Sequence, residues 1–303
     1  FFWIALVSCM QVLWMVLAAF FFATMGVSIK FAAEYFNTAE IIFYRGLISM
    51  ALLWVLARRQ GVTLRTNLPG MHAWRSLVGV TSMAAWFYAI AKLPLATAMT
   101  LNYMSSLWIA AFMVGGALMA WRPSPATPRP ALHMPVIVSL LVGFVGVVLM
   151  MRPSIGADQG LAGIVGLMSG MISAVAYMQV VALSRLGEPE QRVVFYFSVG
   201  SAVAGGVAML FIGVSDFPGW PALWLIPVGI FAAGGQLCMT RAYANATTRR
   251  ATLVVANLQY SGIAFGGAYS VLVFGDLIPP MGWLGMALIV GSGIAATVLR
   301  ARN

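Results

Sequence analysis

The sequence predicts an all-α integral membrane fold of ten transmembrane helices, arranged as two inverted-topology five-helix repeats around a central cavity. Three observations carry this. First, 62% of the 303 residues are hydrophobic and only 8% are charged, with a mean hydropathy of +0.94. A soluble domain runs about 45–50% apolar and about 25% charged, so a soluble enzyme, a disordered chain and a secreted disulfide scaffold are excluded. Second, the apolar residues fall into runs of about 20, the length that crosses a hydrocarbon core of about 30 Å as a helix. Third, the basic residues collect between alternate runs, as membrane topology requires and nucleic-acid binding does not.

The runs fall at 10–33, 38–57, 74–92, 95–121, 134–151, 160–183, 192–214, 221–243, 250–274 and 281–299. The first belongs to an unbroken apolar stretch from Phe1 to Ile29. It reads as an uncleaved span, because a signal peptide would have a basic start and a shorter apolar core. The chain begins with Phe1, and Met10 reads as a natural start, which would make residues 1–9 foreign. Spans 2 to 10 lack the strict apolar–polar alternation of a membrane β-barrel. Backbone groups in lipid must be satisfied within the segment, which leaves helices. Between spans 4 and 5 lies RPSPATPRP (122–130), a semi-rigid Pro-rich spacer.

Thirteen of the 17 basic residues fall on one side. They are Arg58, Arg59, Arg65 and Arg75 at the 2–3 loop, Arg122 and Arg129 at the 4–5 loop, and Arg185 and Arg192 at the 6–7 loop. Arg241, Arg249 and Arg250 surround the 8–9 loop, and Arg300 and Arg302 close the chain. The positive-inside rule makes this side cytoplasmic and, with an even number of spans, both termini cytoplasmic. Glu34, Glu40, Asp158, Asp216 and Asp276 fall on the other side, while Glu188 and Glu190 are internal. The expected location is a bacterial inner membrane. The bilayer itself is one partner, nucleic acid is not, and the sequence is compatible with a homo-oligomer.

The two halves resemble each other. YAIAKLPLATAMTLNYMSS (88–106) and RAYANATTRRATLVVANLQ (241–259) each join a helix end, a turn and a small-residue helix start. Span 5 carries Gly143 and Gly146, and span 10 carries Gly291 and Gly293. Five spans per half is an odd number, so the second half would sit upside-down relative to the first. Residues 10–153 form the expected first repeat and 160–300 the second. Inverted repeats are the architecture of secondary transporters, with the substrate site near mid-membrane between the halves.

Several segments carry a resemblance to a known family. AAFFFATMGVSIK (18–30) and FYRGLISMALLW (43–54) resemble its first two helices, and YAIAKLPLATAMTLNYMSSLW (88–108) its helix 3–4 turn. GVVLMMRP (146–153) resembles the end of helix 5, and FGDLIPPMGWLG (274–285) the stretch between helices 9 and 10. Together they resemble the drug/metabolite transporter superfamily, its ten-helix EamA-type members, and among these most the YddG-type exporters of aromatic and other neutral amino acids. The resemblance implies alternating-access export of amino acids and related small metabolites from the cytoplasm, without ATP. The family often has Pro in the middle of helix 4 and Glu-Pro in helix 9. Here Ser105–Ser106 and Gln259–Tyr260 stand there, which predicts straighter helices.

Candidate site residues follow from polarity within the spans. No carboxylate lies mid-span, which argues against a proton-coupled cation pump. No Lys/Arg pair reads as deep in opposing helices, which argues against a strongly anionic cargo such as a nucleotide sugar. What remains is Trp86 in span 3, Asn102 and Trp108 in span 4, Tyr177 in span 6, Gln236 in span 8, and Asn257 and Tyr260 in span 9. Amides and hydroxyls between aromatic walls suit a zwitterionic amino acid. The plainer reading of the same residues is helix-to-helix hydrogen bonding. Arg45, about 10 Å into span 2, reads as a gate candidate pairing with Glu40 or Glu34, or else as snorkelling.

Gly115–Gly116, Gly205–Gly206, Gly234–Gly235 and Gly266–Gly267 read as close-packing sites. Cys9 and Cys238 lie on separate runs, and His72 and His133 are far apart, so no disulfide, metal or other cofactor is expected. No phosphate-binding Gly loop occurs. The alternatives are a drug or nucleotide-sugar carrier, a binding or assembly subunit that never alternates between two openings, and an intramembrane enzyme. The last would need a clustered nucleophile and base that the sequence does not offer.

Overall fold

The computed structural model describes residues 2–109, 111–112, 138, 141–146, 148–149, 159–246 and 249–301. Every regular element among them is helical. Helix α1 spans Phe2–Ala32, α2 Thr38–Arg59, α3 Pro69–Lys92 and α4 Leu95–Tyr103. After the undescribed stretch come α5 Gly160–Arg185, α6 Glu190–Ile212, a 3-10 turn at Trp220–Trp224, α7 Leu225–Ala244, α8 Arg249–Leu258, α9 Ser261–Leu272 and α10 Pro280–Ala301. The Pro-rich 122–130 segment, Gly115–Gly116 and His133 lie outside the described residues.

The boundaries have local causes. The Asn37 side chain caps α2 by accepting from the Glu40 N–H at 3.0 Å, and Glu40 reaches back to the Asn37 N–H at 2.8 Å, a reciprocal capping box. Pro69 opens α3, where a missing N–H costs nothing. Leu93–Pro94 ends it, because the residue before Pro is pushed out of the helical region. Gly213 ends α6 with φ of 91°, which Gly adopts without steric cost.

Among the described residues five helices are long and apolar enough to cross a membrane: Val12–Ala32, Thr38–Arg59, Gly160–Arg185, Glu190–Ile212 and Trp220–Ala244. The expectation of ten continuous apolar spans is met only in part. Helix α3 is long enough but carries His72, Arg75 and Lys92. The stretches expected as spans 4 and 9 are each interrupted. Span 4 breaks at Met104, whose N–H bonds back to Thr100 before a helical turn resumes over residues 105–109. Span 9 breaks between α8 and α9 at Gln259–Tyr260, where the N–H groups of Gln259, Tyr260, Gly262 and Ile263 each bond three residues back. The expectation of a straighter helix is corrected for span 9, where tight i→i+3 turns interrupt the helix without proline.

The main packings are α2 on α6, α1 on α7 and α3 on α5. Lesser contacts join α2 to α7 and α3 to α6, α1 to α9 and α5 to α4, and α4 to α9. Small residues make the first of these possible. A Cβ on Gly46 would lie 2.5 Å from the Ala202 backbone N, and one on Gly205 2.6 Å from that of Phe43. Backbones this close exclude any larger residue. Polarity is inverted relative to a soluble protein. Leu77, Leu161, Val203, Leu210 and Phe211 are exposed, while Arg45, Arg75, Ser82, Asn102 and Gln259 are buried. Such a surface fits lipid, and the polar groups face one another inside.

Candidate functional site

One face of α3 repeats at helical spacing: Arg75, Gly79, Ser82, Met83 and Trp86. This stripe faces α2, α5 and α6 and closes one wall of an internal cavity. Phe22 and Met25 of α1, Arg45 of α2, Tyr103 at the end of α4, Tyr177 of α5, and Phe197 of α6 supply most of the rest. The accessible space is about 40 Å³, room for only a few water molecules.

Two arginines dominate it. Arg45 is 1% exposed and Arg75 3%. Their guanidinium carbons lie 5.1 and 4.3 Å from the centroid of the same Phe197 ring, a cation–π arrangement on both. Arg45 Nη1 donates to Ser201 Oγ at 3.2 Å. Ser201 in turn donates to the Phe197 carbonyl at 2.8 Å. Arg45 Nε and Arg75 Nε and Nη1 are buried with no partner, as are Trp86 Nε1 and Tyr103 OH around the same space. Among the described residues no carboxylate lies within ion-pair distance of either arginine. Arg75 can lie along α3 only because the next turn carries Gly79. A Cβ there would collide with the guanidinium and come within 2.8 Å of the Phe197 ring.

This overturns one sequence expectation. Arg75 read as a cytoplasmic flank because it stands six residues after Pro69, close to the basic loop. Its side chain instead runs inward, so a deep basic pair does exist. The signal was present in the spacing Arg75–Gly79–Ser82–Trp86. Phe197, Phe22 and Met25 had no distinguishing signal, since apolar residues line lipid and cavity alike.

The other candidates divide. Trp86, Asn102, Tyr177, Gln236 and Arg45 line the cavity. Asn102 Nδ2 also bonds Ser169 and Ser173 at 3.0 and 3.2 Å, tying α4 to α5. Ser82 joins this knot through Ser173 at 2.6 Å. Trp108 is not part of the wall and packs on Phe112 and Phe144. Asn257 and Tyr260 also lie outside the lining, in α8 and in the span 9 break. The neighbouring Gln259 accepts from Ser105 Oγ at 3.4 Å and donates to Tyr243 OH at 2.9 Å. The two helix breaks are thus joined to each other. Tyr243 stacks on Tyr177, which connects the breaks to the cavity wall.

Glu40 does not pair with Arg45. Its carboxylate accepts from the Asn37 N–H and from both the N–H and the hydroxyl of Ser215, at 2.9 and 2.6 Å. It fastens the start of α2 to the segment after α6. Neither does Arg45 snorkel, since its whole side chain is buried.

Two polar ties close the ends. At one end Lys30 Nζ lies 3.8 Å from Asp276 and donates to the Leu93 carbonyl at 3.3 Å. Ser270 Oγ donates to Asp276 at 2.5 Å. At the other end Glu188 accepts from Thr66 at 2.9 Å and from Arg192 at 3.1 Å, with His72 Nε2 at 3.2 Å. Burial raises the Glu188 carboxyl pKa, but the bonds from Thr66, Arg192 and His72 outweigh it and hold the group below its ordinary value.

No family model matches the chain. Named relatives nevertheless span nearly all of it. A pseudopaline exporter of Pseudomonas aeruginosa is 29% identical over 288 residues, 94% of each chain. An uncharacterized transporter of Helicobacter pylori is 28% identical over 287 residues, 92% of this chain and 91% of its own. A riboflavin transporter of Rhizobium johnstonii is 25% identical over 290 residues, 93% and 89%. A solved crystal structure superposes with a TM-score of 0.58 at 20% identity, covering 98% of this chain and 97% of the other, and speaks for the fold alone. An all-helical chain with apolar spans, similar end to end to proteins named as exporters and transporters, is a multi-pass membrane protein whose relatives support a transporter role for a small-molecule substrate.

Proposed function

We propose that this chain is a secondary transporter of the EamA type that exports amino-acid-like metabolites from the cytoplasm by alternating access. In this reading two five-helix repeats, 10–153 and 160–300, lie inverted in the inner membrane with both termini cytoplasmic. Supporting the inversion, the packings come in exchanged pairs. Exchanging the first and second halves turns α1 on α7 into α5 on α3, and α2 on α7 into α6 on α3. The α2–α6 contact maps onto itself. Broken helices meeting between repeats are where transporters build mid-membrane sites, and here the breaks are bonded to each other through Ser105 and Gln259.

The observation that carries the reading is the internal cavity between the halves, into which donors without a protein partner project. Buried donors without partners are costly, and a cargo that accepts from them supplies the missing bonds. The cargo is expected to carry a carboxylate for the guanidiniums and an apolar or aromatic part for Phe22, Trp86 and Tyr177. The test is flux in proteoliposomes containing only this chain. Vesicles are loaded with a panel of amino acids and related metabolites, with and without a pH gradient. Counterflow of at least one panel member, unchanged by the pH gradient, is the expected result. No flux of any member rejects the reading.

A further inference from the structure

We propose that Arg45 and Arg75 make the cavity a dianion site, so that the preferred cargo carries two carboxylates rather than the single one of a neutral amino acid. This deepens the reading above and rests on it. The argument is charge balance. Two guanidiniums enter the lining from different helices, and the lining contains no Asp or Glu. Arginine stays protonated in proteins, so the cavity holds two positive charges, and among the described residues the groups seen to compensate them are the Phe197 ring and Ser201. A zwitterion leaves that charge unchanged and adds an ammonium with no carboxylate to receive it. A dicarboxylate neutralises both charges.

The free donors match. Arg75 Nε and Nη1, on two different edges of the guanidinium, are each buried without a protein partner, so one planar group can donate in two directions. Arg45 offers its unpartnered Nε beside the same Phe197 ring. Trp86 Nε1 and Tyr103 OH add neutral donors. The cavity is therefore rich in donors and poor in anionic acceptors, which selects by charge as well as by shape. Phe22, Trp86, Tyr177 and Phe197 line the same space and offer apolar surface to the body of such a cargo.

A ladder of ligands that share one ring and differ in charge tests this on the purified full-length chain. The probes are N-benzoylglutamate (two carboxylates), N-benzoylglycine (one), phenylalanine (a zwitterion) and phenyl phosphate (a phosphate dianion). Thermal stabilisation in detergent and flux in proteoliposomes are read in parallel. N-benzoylglutamate is expected to bind at least about tenfold more tightly than N-benzoylglycine, the scale of one bond to a charged group, with phenylalanine weakest. Arg45→Gln and Arg75→Gln should each erase about that factor for N-benzoylglutamate and so flatten the difference between the two- and one-carboxylate probes. Melting of the unliganded variants should not fall, because removing an uncompensated buried charge relieves the fold. If either Gln variant fails to fold, Arg75→Lys keeps the charge without the planar set of donors and should give an intermediate loss. Equal binding of all four probes, binding of neither dianion at millimolar concentration, or variants that keep the ladder intact would each overturn the proposal. Tighter binding of phenyl phosphate overturns the carboxylate assignment. Binding of N-benzoylglutamate without flux of any probe sinks the transporter reading and leaves the anion site. Flux without a charge ladder does the reverse.

Discussion

At the scale of single residues, the decisive feature is how one glycine lets an arginine change sides. Side chains on a helix normally lean back toward its N-terminus, which for Arg75 is the basic loop. Gly79 one turn on removes the Cβ that would block the other path, and the Phe197 ring completes the bed. Gly79→Ala should therefore cut substrate affinity about as much as Arg75→Gln, since the methyl displaces the guanidinium. It should also cost about 1–3 kcal/mol of stability from overpacking. Ligand-dependent melting separates the two effects: a chain that folds but no longer responds to ligand fits, and a full ligand response would show that Arg75 does not depend on Gly79. Much of the cavity wall was legible in sequence. Trp86, Asn102, Tyr177 and Gln236 stand out as polar or amphipathic residues inside apolar runs. Arg75 was misread because charge near a loop is ordinarily solvated, and side-chain direction is not a property of sequence position. Trp108 and Tyr260 lie outside the lining, and sequence cannot separate such positions because an aromatic with a polar tip serves packing equally well.

At the scale of elements, the long apolar helices were readable from run length, since covering the hydrocarbon core sets it. The interruptions at Met104 and Gln259–Tyr260 were not. Proline is the usual signal, and here the breaks are held by side chains from elsewhere in the bundle. Ser106 Oγ donates to the Ala256 carbonyl at 2.8 Å, Ser105 meets Gln259, and Gln259 donates to Tyr243 OH. Gly170 lets the second half approach closely, since a Cβ there would lie 2.5 Å from the Leu101 carbonyl oxygen. Such support is tertiary and invisible locally. Gln259→Leu keeps the volume but removes both bonds, leaving Ser105 and Tyr243 without this partner. The expected loss is about 1 kcal/mol, in line with interhelical polar pairs in membranes, measured by unfolding in mixed micelles. Transport should fall more than that loss explains, because the α8–α9 break loses its link to Ser105. Unchanged transport with unchanged stability would show that the breaks do not depend on this bond.

At the scale of the whole molecule, alternating access requires that one end open while the other stays shut. The Lys30–Asp276 tie joins α1 to the α9–α10 segment, and the Glu188 cluster joins the 2–3 loop and α3 to the start of α6. Each tie therefore spans the two halves, and the two sit at opposite ends of the cavity. Their chemistries differ, so they can be released separately. Asp276→Asn removes the ion pair at one end. Acid does the same at the other. Because the folded state holds the Glu188 carboxyl below its ordinary value of 4.5, the closed tie is at full strength above that pH. It weakens as pH falls through the lower folded value, when the carboxylate gains a proton and can no longer accept fully from Thr66, Arg192 and His72. Glu188→Gln should mimic the acid state at neutral pH. A cysteine placed at Ser173 in the cavity knot, in a chain freed of Cys9 and Cys238, reports the outcome. Asp276→Asn should raise its labelling by an impermeant thiol reagent from the Lys30 end, and Glu188→Gln from the Glu188 end. The double substitution should give less than the sum, since a transporter open at both ends at once would be a leak. Equal labelling from both sides in either single variant would mean that the ties brace the fold and do not gate it.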